Sequence, residues 1–592
     1  MSITHQALLK LGYSYRPINR LRKESFLQKH SILGGVYIKR YDTKYGAFEV
    51  AMIQASDPHI ELPTVFVIKM PLALQGRLIP HISHEGYLCY VEQMEADWNP
   101  NNLVELYKTV DLQIKTTLDI AVNAMNNEVK GDEELDNEFV SYWSSTAELY
   151  SLSELRRHSS YTSVLARATG KEKLRSSEYI TVEVDKKEHD LQSNQYLQSW
   201  LNQRGLELVR PESPSIKTHY VWVRPSRLSG VEWPPQDLKE VLSWLELVDF
   251  SARDHLVRCL SNSKAKRNIV VLDIEKQDPV SLYLEIDVNS IECQFSSRKT
   301  RRKRKQTSFK NLIGIMSRKG FCSKFARLSI TKADKSAILS RNQQREFELS
   351  SKSIALIGCG TIGGYLAELL VRNGAGLDAK CLHLYDRDTL KPHNFSRHTL
   401  SVSDFGSNKA SALAKKLKNS THLTKNISGF DNNFPINEGT LSKYDIVIDA
   451  TGRPPVSKRL AFVVRQISVK RPTIVHVFND GNGRAAKVLV DDSLSCYGCM
   501  TVDKSIHQDH IDMRFKDLDL SKEKKVSCGN TYTVYDAGVS QISAAMALEA
   551  VLNTLNASTP WTYSEFILDP RHRTGKRKVL QPQMQCVVCN EV

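Results

Sequence analysis

The chain has 592 residues, 41% of them hydrophobic and 25% charged, which is the composition of a folded globular protein and not that of a disordered or membrane protein. It is too long for one hydrophobic core, so we expect a multidomain protein. No run of about 18 apolar residues occurs and the first residues lack the apolar stretch of a signal peptide, so we expect a cytoplasmic protein without a membrane partner.

The net charge of +15 comes partly from a basic block at 298–305, in which seven of eight residues are Lys or Arg. Such a block is typical of a solvated linker, and contact with an acidic partner or nucleic acid is the alternative. Because the block has no aromatic residues for stacking on bases, we do not expect nucleic acid to be the main partner.

Residues 1–150 are predicted to form an α+β domain. Residues 1–30 have a mostly helical pattern that Pro17 divides into two pieces. The apolar spacing over 102–125 predicts a long helix after a loop that carries Cys89. Between these helices lie short β-type runs that predict an antiparallel meander, and they begin at Gly35, Phe48 and Val65.

Residues 151–340 are predicted to form a central α/β region with no glycine fingerprint. The segment 309–328, after the basic block, has no pattern that we can assign. The strand candidates are 220–223, 269–273 and 281–286, and the helix candidates are 133–143, 238–247 and 254–260.

Residues 341–592 are predicted to form a doubly wound α/β domain, because strands and helices alternate there. A polar helix is predicted over 340–349. The strand candidates are 353–357, 382–385 and 445–448, and the later helices begin after the glycine loop, near Lys409 and at Val539.

A glycine fingerprint follows the strand 353–357. Gly358, Gly360 and Gly363 form G-x-G-x-x-G, whose backbone amides can approach phosphates at a helix N-terminus. Asp386 ends the next strand, where a carboxylate can bind a ribose hydroxyl. This pattern alone is typical of NAD or FAD binding, and a structural loop without a nucleotide is the alternative.

The residues after the second strand favour ATP instead. Asn394, Arg397 and Lys409 add one polar and two cationic groups, and the cations would neutralise a triphosphate and departing pyrophosphate. Asp388 is a further candidate for binding the nucleotide in the same segment. Ordinary surface cations are the alternative interpretation.

With the segments DRD from Asp386, HNFSRH from His393 and DIVIDATG from Asp445, this region resembles the adenylating enzymes related to MoeB, ThiF and the ubiquitin-activating enzymes. The resemblance implies that ATP and Mg²⁺ convert a C-terminal carboxylate into acyl-AMP. Magnesium would be bound by Asp449 alone or by residues that the sequence does not identify. The family often has a second acid three residues later, where this chain has Gly452.

Four of the eleven cysteines form two C-x-x-C pairs, CYGC and CVVC, separated by 86 residues. Each pair can supply two thiolates to a tetrahedral zinc ion, so we expect a closed, structural Zn²⁺ site, with redox use as the alternative. The resemblance implies the same pairing. The four ligands are Cys496, Cys499, Cys586 and Cys589.

Cys528 lies outside these pairs, after Lys522, Lys524 and Lys525, and a basic setting favours ionisation of a thiol. In the activating enzymes that the chain resembles, a loop cysteine near this position accepts the acyl group from AMP. A small buried apolar residue is the alternative interpretation.

The segment 80–100, PHISHEGYLCYVEQMEADWNP, resembles the active-site segment of ubiquitin-conjugating enzymes. The resemblance implies that Cys89 carries a thioester, and a buried structural thiol is the alternative. The His-Pro-Asn of that family is replaced by His-Ile-Ser, so the asparagine that would support the oxyanion is missing. The candidate substitutes are His81, Ser83 and His84.

The two resemblances on one chain are together similar to the bacterial fusion enzymes of antiphage cyclic-oligonucleotide (CBASS) systems. This implies a relay in which a partner's C-terminus, that of a cyclic-nucleotide synthase, passes from AMP to Cys528, then to Cys89, then to an amine. The family also implies a homodimer, in which Arg341 or Arg345 could reach the neighbouring subunit's ATP.

Four alternatives remain open. A sulfur-carrier adenylyltransferase leaves Cys89 without a role, and a catalytically degenerate ATP-binding scaffold fits the missing asparagine and Gly452. A nucleic-acid-binding regulator would use the basic block. A NAD-dependent oxidoreductase leaves Arg397 and Lys409 unexplained.

Overall fold

The computed structural model describes residues 3–20, 27, 35–58, 60–92, 97–99, 101–126, 128–135, 138–168, 177–184, 194–210, 215–290, 309–340, 349–423, 426–491, 494–508, 511–527, 530–556 and 559–589. The chain divides into two compact units. The first unit comprises Met1–Ser193 and Leu206–Ala333, and the second comprises Asn194–Gly205 and Asp334–Val592. The sequence-based boundaries at 150 and 340 stay a prediction.

The first unit begins with an antiparallel four-stranded meander in the order β1-β2-β3-β4. Its strands are β1 (Ser14–Pro17), β2 (Gly35–Thr43), β3 (Gly46–Ile53) and β4 (Thr64–Lys69). The helices of this region are Ile3–Lys10, Leu103–Asn126 and Glu128–Glu134, with a 3-10 helix at Phe139–Trp143.

The prediction of a mostly helical N-terminus is wrong for Ser14–Pro17, which forms an edge strand paired with β2. Proline is tolerated on an edge strand, because its missing N–H faces away from the ladder. The predicted meander and the long helix are confirmed. Ile114 and Leu118 of that helix are fully buried with Val50 and Met52 of β3, so the helix covers one face of the sheet.

The rest of the first unit is built on an eight-stranded sheet in the order β7-β5-β12-β11-β10-β9-β6-β8. Because β6 also pairs with β7, seven of these strands form a closed ring. The strands are β5 (Ala147–Ser151), β6 (Tyr161–Ala168), β7 (Glu178–Glu183), β8 (Leu206–Leu208), β9 (Ile216–Val223), β10 (Arg267–Ile274), β11 (Val280–Ile286) and β12 (Cys322–Lys332).

The helices that accompany this closed sheet are Leu238–Val248, Phe250–Asn262 and Phe309–Met316. The predicted strands within β9, β10 and β11 and the two helices before β10 are confirmed. The unassigned segment 309–328 contains a helix and the start of β12.

The second unit contains a seven-stranded sheet in the order β15-β14-β13-β16-β17-β18-β23, of which β13 to β17 are parallel. Its strands are β13 (Ile354–Ile357), β14 (Leu382–Tyr385), β15 (Ile427–Phe430), β16 (Ile446–Asp449), β17 (Thr473–Asp480), β18 (Ala485–Asp491) and β23 (Tyr563–Ile567). Two small hairpins are β19 (His507–Gln508) with β20 (Ile511–Asp512), and β21 (Lys524–Ser527) with β22 (Asn530–Thr533).

Helices cover this sheet, which confirms the doubly wound α/β fold. They are Gln195–Arg204, Lys335–Ser340, Thr361–Arg372, Lys409–Lys418, Glu438–Leu441, Pro454–Gln466, Tyr497–Val502 and Ala537–Asn553. The predicted helix over 340–349 lies almost entirely outside the described residues. The strand order reverses around β13, between β14 and β16, and ligands of such sheets bind beyond the carboxyl ends of the strands at this point.

Within the described parts of the chain, no helix combines the length and the hydropathy that a membrane crossing needs.

Candidate adenylating site and thiol sites

The glycine loop leaves β13 at the reversal of the strand order. Gly358 has a positive φ of 89°, and a Cβ at Gly363 would lie 1.9 Å from the carbonyl oxygen of Gly358. Only glycine permits this close approach of loop and helix. Gly360 caps the helix Thr361–Arg372, whose first amides therefore face the carboxyl edge of the sheet, where a phosphate can bind.

Asp386 fastens this loop to the end of β14. Its carboxylate accepts hydrogen bonds from the backbone N–H groups of Cys359 and Asp388, each at 2.8 Å. A carboxylate has about four acceptor positions, so it can still accept a hydrogen bond from a ribose hydroxyl.

His398 supports the loop from the other side, and the sequence analysis did not assign it a role. Its Nε2 donates to the carbonyl oxygen of Cys359 at 2.7 Å, and its Nδ1 accepts from the N–H of Leu400 at 3.1 Å. Burial lowers the pKa of His398, so the neutral ring is the stable form here. The feature of the sequence that could have identified His398 is its position at the end of the motif HNFSRH.

Lys409 begins the helix Lys409–Lys418 and confirms the predicted helix start. Its ammonium group is 3.2 Å from Asp388, and only 10% of its side chain is exposed, whereas the side chain of Asp388 is 68% exposed. Asn394 accepts from the N–H of Lys391 at 3.0 Å and thereby caps the 3-10 helix Pro392–Arg397. The structure brings Lys409 and Asp388 together, and it gives Asn394 a capping contact.

The side chain of Arg397 contacts the strand β22 and not the glycine loop. Its Nη1 donates to the carbonyl oxygen of Thr533 at 3.1 Å, and its guanidinium lies 4.3 Å from the centre of the Tyr535 ring. A planar guanidinium held in this way keeps further N–H groups with which an arginine can bind phosphate oxygens as a fork.

Asp449 ends β16 with a carboxylate that is almost fully buried. Burial by itself would raise its pKa, but hydrogen bonds from His476, Ser457 and Thr451 hold the pKa below its usual range. One oxygen accepts from Ser457 and His476, and the other accepts twice from Thr451. Because its acceptor positions are occupied, this carboxylate does not fit a magnesium ion, and its predicted role as a ligand stays a prediction.

The two C-x-x-C pairs meet in the second unit. All four sulfur atoms lie within 4.8 Å of one another, with separations of 3.2 to 3.9 Å for the contacting pairs. Four thiolates about 2.3 Å from a tetrahedral zinc ion are about 3.8 Å apart, so the cluster fits such an ion. The four cysteines are Cys496, Cys499, Cys586 and Cys589.

Cys528 lies outside the described residues, as do 298–305, Arg341 and Arg345. The structure describes the strands on either side of Cys528, β21 and β22. Glu523, just before β21, pairs with Arg484 at 2.7 Å, so the hairpin is tied to the large sheet at its base.

Cys89 lies on an extended segment of the first unit that follows the meander. Its N–H donates to the carbonyl oxygen of His81 at 2.9 Å, and its side chain is partly buried. Burial raises the pKa of the thiol, and the charges of Glu138 and Glu92 raise it further. Three residues earlier, Gly86 has a φ of 85°, and a Cβ there would lie 2.5 Å from the Val67 carbonyl oxygen.

The candidate substitutes for the missing asparagine differ in their surroundings. Ser83 accepts from the N–H of Tyr87 at 2.9 Å and thus serves a tight turn, and His84 is exposed. His81 lies beside two carboxylates, 3.3 Å from Glu134 and 3.8 Å from Glu138. Sequence reasoning missed both glutamates, because they lie more than forty residues beyond the cysteine in the chain.

Comparison with known proteins agrees with this architecture. Residues 11–152 match the model of Prokaryotic E2 family B, and residues 335–587 match that of the ThiF family. The chain is 47% identical over 590 residues to the ATP-dependent ubiquitin transferase-like protein Cap2 of Vibrio cholerae, covering 99% of both chains. It is 44% identical over 594 residues to the Cap2 protein of Escherichia coli, again covering 99% of both, and 25% identical to that of Pseudomonas aeruginosa, covering 91% of both.

The fold and these matches define an enzyme that fuses an E2-like conjugating domain to a ThiF-type adenylating domain. More specifically, the chain belongs to the family of ATP-dependent ubiquitin transferase-like proteins. It therefore uses ATP for adenylation and conjugation.

Proposed function

We propose that this enzyme activates the C-terminal carboxylate of a partner protein as an acyl-adenylate and ligates it to a target amine through two successive thioesters, on Cys528 and then on Cys89. The observation that carries the proposal is the presence, in one chain, of a candidate nucleotide site and a separate conjugating-type cysteine. An adenylating site alone would leave the conjugating-type cysteine without a role, and a conjugating domain alone would leave the nucleotide site without one.

The first step uses the carboxyl edge of the second unit's sheet. The glycine loop and the N-terminus of the helix Thr361–Arg372 offer backbone amides to phosphates, and Asp386 offers an acceptor to the ribose. Lys409 and Arg397 supply positive charge where pyrophosphate leaves. A carboxylate is a poor electrophile, and adenylation gives it a good leaving group.

Magnesium enters such a site with the phosphates of ATP and one or two carboxylates. Asp388 is the predicted site residue whose carboxylate is largely exposed, so it suits this role better than Asp449.

The C-terminal tail of the partner must reach the nucleotide site at the carboxyl edge of the second unit's sheet. A cleft of about 940 Å³ lies beside Tyr535, the residue on which Arg397 stacks, and Gly483, Val539 and Pro570 contribute to its walls. The cleft suits an extended peptide tail, because its walls offer both apolar and hydrogen-bonding groups. We assign it to the C-terminal tail of the partner.

Cys528 accepts the acyl group from AMP and Cys89 receives it by thioester exchange. Thioesters keep the reactivity of the adenylate while allowing transfer between sites. Contacts at both ends of the hairpin that flanks Cys528, through Glu523 and Thr533, support its use as a platform for the first thiol.

The cluster of four cysteines has the donor set and the spacing of a structural zinc site, and zinc there would join the helix Tyr497–Val502 to the segment 586–589. Since the protein provides all four ligands, we assign this ion a structural role without an open coordination position.

By its resemblance to CBASS fusion enzymes, we assign the chain to antiphage defence in the cytoplasm, with a cyclic-nucleotide synthase as the activated partner and a homodimer as the active form. The names of the relatives specify only an ATP-dependent ubiquitin transferase-like activity.

The experiment that tests this function is expression of the chain together with its neighbouring genes, followed by purification and mass spectrometry. We expect a covalent adduct that joins a partner's C-terminal residue to the chain and that disappears when this residue is deleted from the partner. A chain that binds ATP but forms no adduct would move the ATP-binding scaffold to first place.

A further inference from the structure

Four polar side chains surround the backbone next to Cys89, and the relay gives them no role. His81 and Tyr142 are joined to the carboxylates of Glu134 and Glu138. The Nε2 atom of His81 is 3.3 Å from Glu134, its Nδ1 is 3.8 Å from Glu138, and the hydroxyl of Tyr142 donates to Glu138 at 3.3 Å.

His81 is held in an unusual backbone conformation. Its φ is 65°, in the left-handed region that non-glycine residues rarely adopt. Its N–H donates to the hydroxyl of Tyr142 at 2.7 Å, and its carbonyl oxygen accepts from the N–H of Cys89 at 2.9 Å. Such strain persists only where the surroundings over-determine it, and it is concentrated at functional sites. These contacts fix the position of the imidazole relative to the backbone of the nucleophile.

The negative charge of this cluster disfavours ionisation of the Cys89 thiol. Apart from burial, the charge of Glu138 is the largest contribution that raises the pKa of Cys89, so the cluster disfavours the thiolate. The same charge would attract an incoming ammonium group. The arrangement therefore suits the step after Cys89 has been acylated, when the thiol no longer carries a proton and an amine must approach.

We propose that His81 is the general base that deprotonates the acceptor amine, and that Glu134, Glu138 and Tyr142 are positioning residues that hold its ring and draw a lysine ammonium group to it. This inference rests on the proposed function, in which Cys89 carries the thioester. It assigns the acceptor to the class of primary amines on flexible, cationic side chains.

Aminolysis of the thioester conserves every atom and every proton. The neutral imidazole keeps its own proton on Nε2, facing Glu134, and takes one proton from the ammonium at Nδ1. The amine nitrogen then forms a bond to the thioester carbonyl carbon. The carbon–sulfur bond breaks, the amide forms, and the sulfur of Cys89 takes the second proton that the nitrogen loses. The products are an amide, a free thiol and an imidazolium ion that releases its proton to water.

A base is needed here because, at its ordinary pKa, only about 1 lysine in 2,500 is unprotonated at pH 7. A positioned general base typically contributes about 10²- to 10⁴-fold to a rate. Histidine suits this role because its ordinary pKa lies near neutral pH.

The test measures how fast a preloaded thioester is discharged by two nucleophiles. The full-length Cys528→Ala chain is acylated on Cys89 by exchange with a glycine-terminated peptide thioester, and peptide mapping verifies the position. Discharge is then followed with Nα-acetyl-lysine, which is protonated at neutral pH, and with hydroxylamine, which needs no base.

In the His81→Asn chain, whose asparagine tolerates the left-handed conformation, we expect discharge by Nα-acetyl-lysine to fall at least about tenfold. Discharge by hydroxylamine should stay within about twofold of its original rate, since this nucleophile bypasses the base. The His81→Gln chain should give the same ratio. For Glu138→Gln the KM for Nα-acetyl-lysine should rise more than kcat falls, and Glu138→Asp should restore part of the loss. Glu85→Gln, at an exposed glutamate of the same loop, is the matched control and should change neither rate.

Equal losses with both nucleophiles would overturn the proposal, because they would show a general effect on the thioester. Unchanged discharge by Nα-acetyl-lysine would overturn it as well. Failure of the proposed function is distinguishable, since it would appear as absence of ATP-dependent acylation of Cys89 while the chemically loaded thioester still reports on His81.

Discussion

Arg397 donates from Nη1 to the carbonyl oxygen of Thr533 at 3.1 Å. Thr533 is the last residue of β22, the strand that follows Cys528 in the chain. The cation that we predict to hold the phosphates of ATP therefore also contacts the hairpin that flanks the first thiol. Loss of this side chain should disturb both adenylation and acyl transfer to Cys528.

Replacing Arg397 with lysine keeps the charge but removes the planar fork and the stacking on Tyr535. We expect ATP–pyrophosphate exchange to fall by about 10²-fold, the usual effect of losing one group that stabilises developing charge. Arg387→Lys, at an exposed residue of the same segment, is the control. Normal exchange in the Arg397→Lys chain would remove Arg397 from the nucleotide site.

The cysteine cluster predicts one zinc ion per chain. In the Cys499→Ser chain we expect the zinc content to fall and the thermal midpoint to drop by several degrees, because a structural site contributes its binding free energy to folding. Atomic emission spectroscopy and calorimetry measure the two effects. Cys381→Ser, at a cysteine outside the cluster, should retain the metal, and a full complement of zinc in the Cys499→Ser chain would contradict the site.

The buried His398 predicts that stability depends on pH. Burial lowers its pKa in the folded state, so as the pH falls below about 6.5 the unfolded chain binds the proton first. The contribution of His398 is therefore fully present above that pH and is lost as the pH falls towards the folded pKa. We expect the thermal midpoint to decrease between pH 7.5 and 5.5, and to decrease less in His398→Gln than in the original chain.

His393→Gln provides the comparison, because His393 is an exposed residue of the same segment. Its pH profile should follow that of the original chain. An identical profile for His398→Gln would show that this ring does not carry the dependence.

The pKa of Cys89 is raised by burial and by the nearby charges of Glu138 and Glu92. At pH 7.5 we therefore expect iodoacetamide to alkylate Cys89 more slowly than an unstructured cysteine peptide, with a rate that still rises above pH 9. Glu138→Gln should accelerate the reaction. Peptide mapping with time measures the rate, and rapid alkylation near neutral pH would contradict a raised pKa.

The second unit could be predicted well from the sequence, because its strands are short, buried apolar runs next to glycines and its parallel sheet follows from their alternation with helices. The two C-x-x-C pairs likewise predicted that their four cysteines lie close together. Arg397 and Lys409 could be selected by type and spacing, but the contact of Arg397 with Thr533 joins residues 136 positions apart, which no local pattern contains.

The closed sheet of the first unit could not be predicted. Its β12 pairs with β5, so that Leu328 lies opposite Ala147, and such register depends on packing that spacing does not encode. Near Cys89, the sequence predicted that this cysteine is the nucleophile and showed that the asparagine is missing. It did not identify Glu138 and Tyr142, because their meeting with His81 depends on how the segment after the long helix folds back.

The order in which Cys528 and Cys89 carry the thioester is tested most directly by a time course of intact-protein mass spectrometry. The chain, its Cys528→Ala variant and its Cys89→Ala variant are mixed with the partner and ATP, quenched without reductant and then treated with reductant. The relay predicts a reductant-labile adduct on Cys528 that persists in Cys89→Ala, and no adduct on Cys89 in Cys528→Ala although ATP–pyrophosphate exchange continues. Loading of Cys89 at its normal rate in the Cys528→Ala chain would contradict the relay.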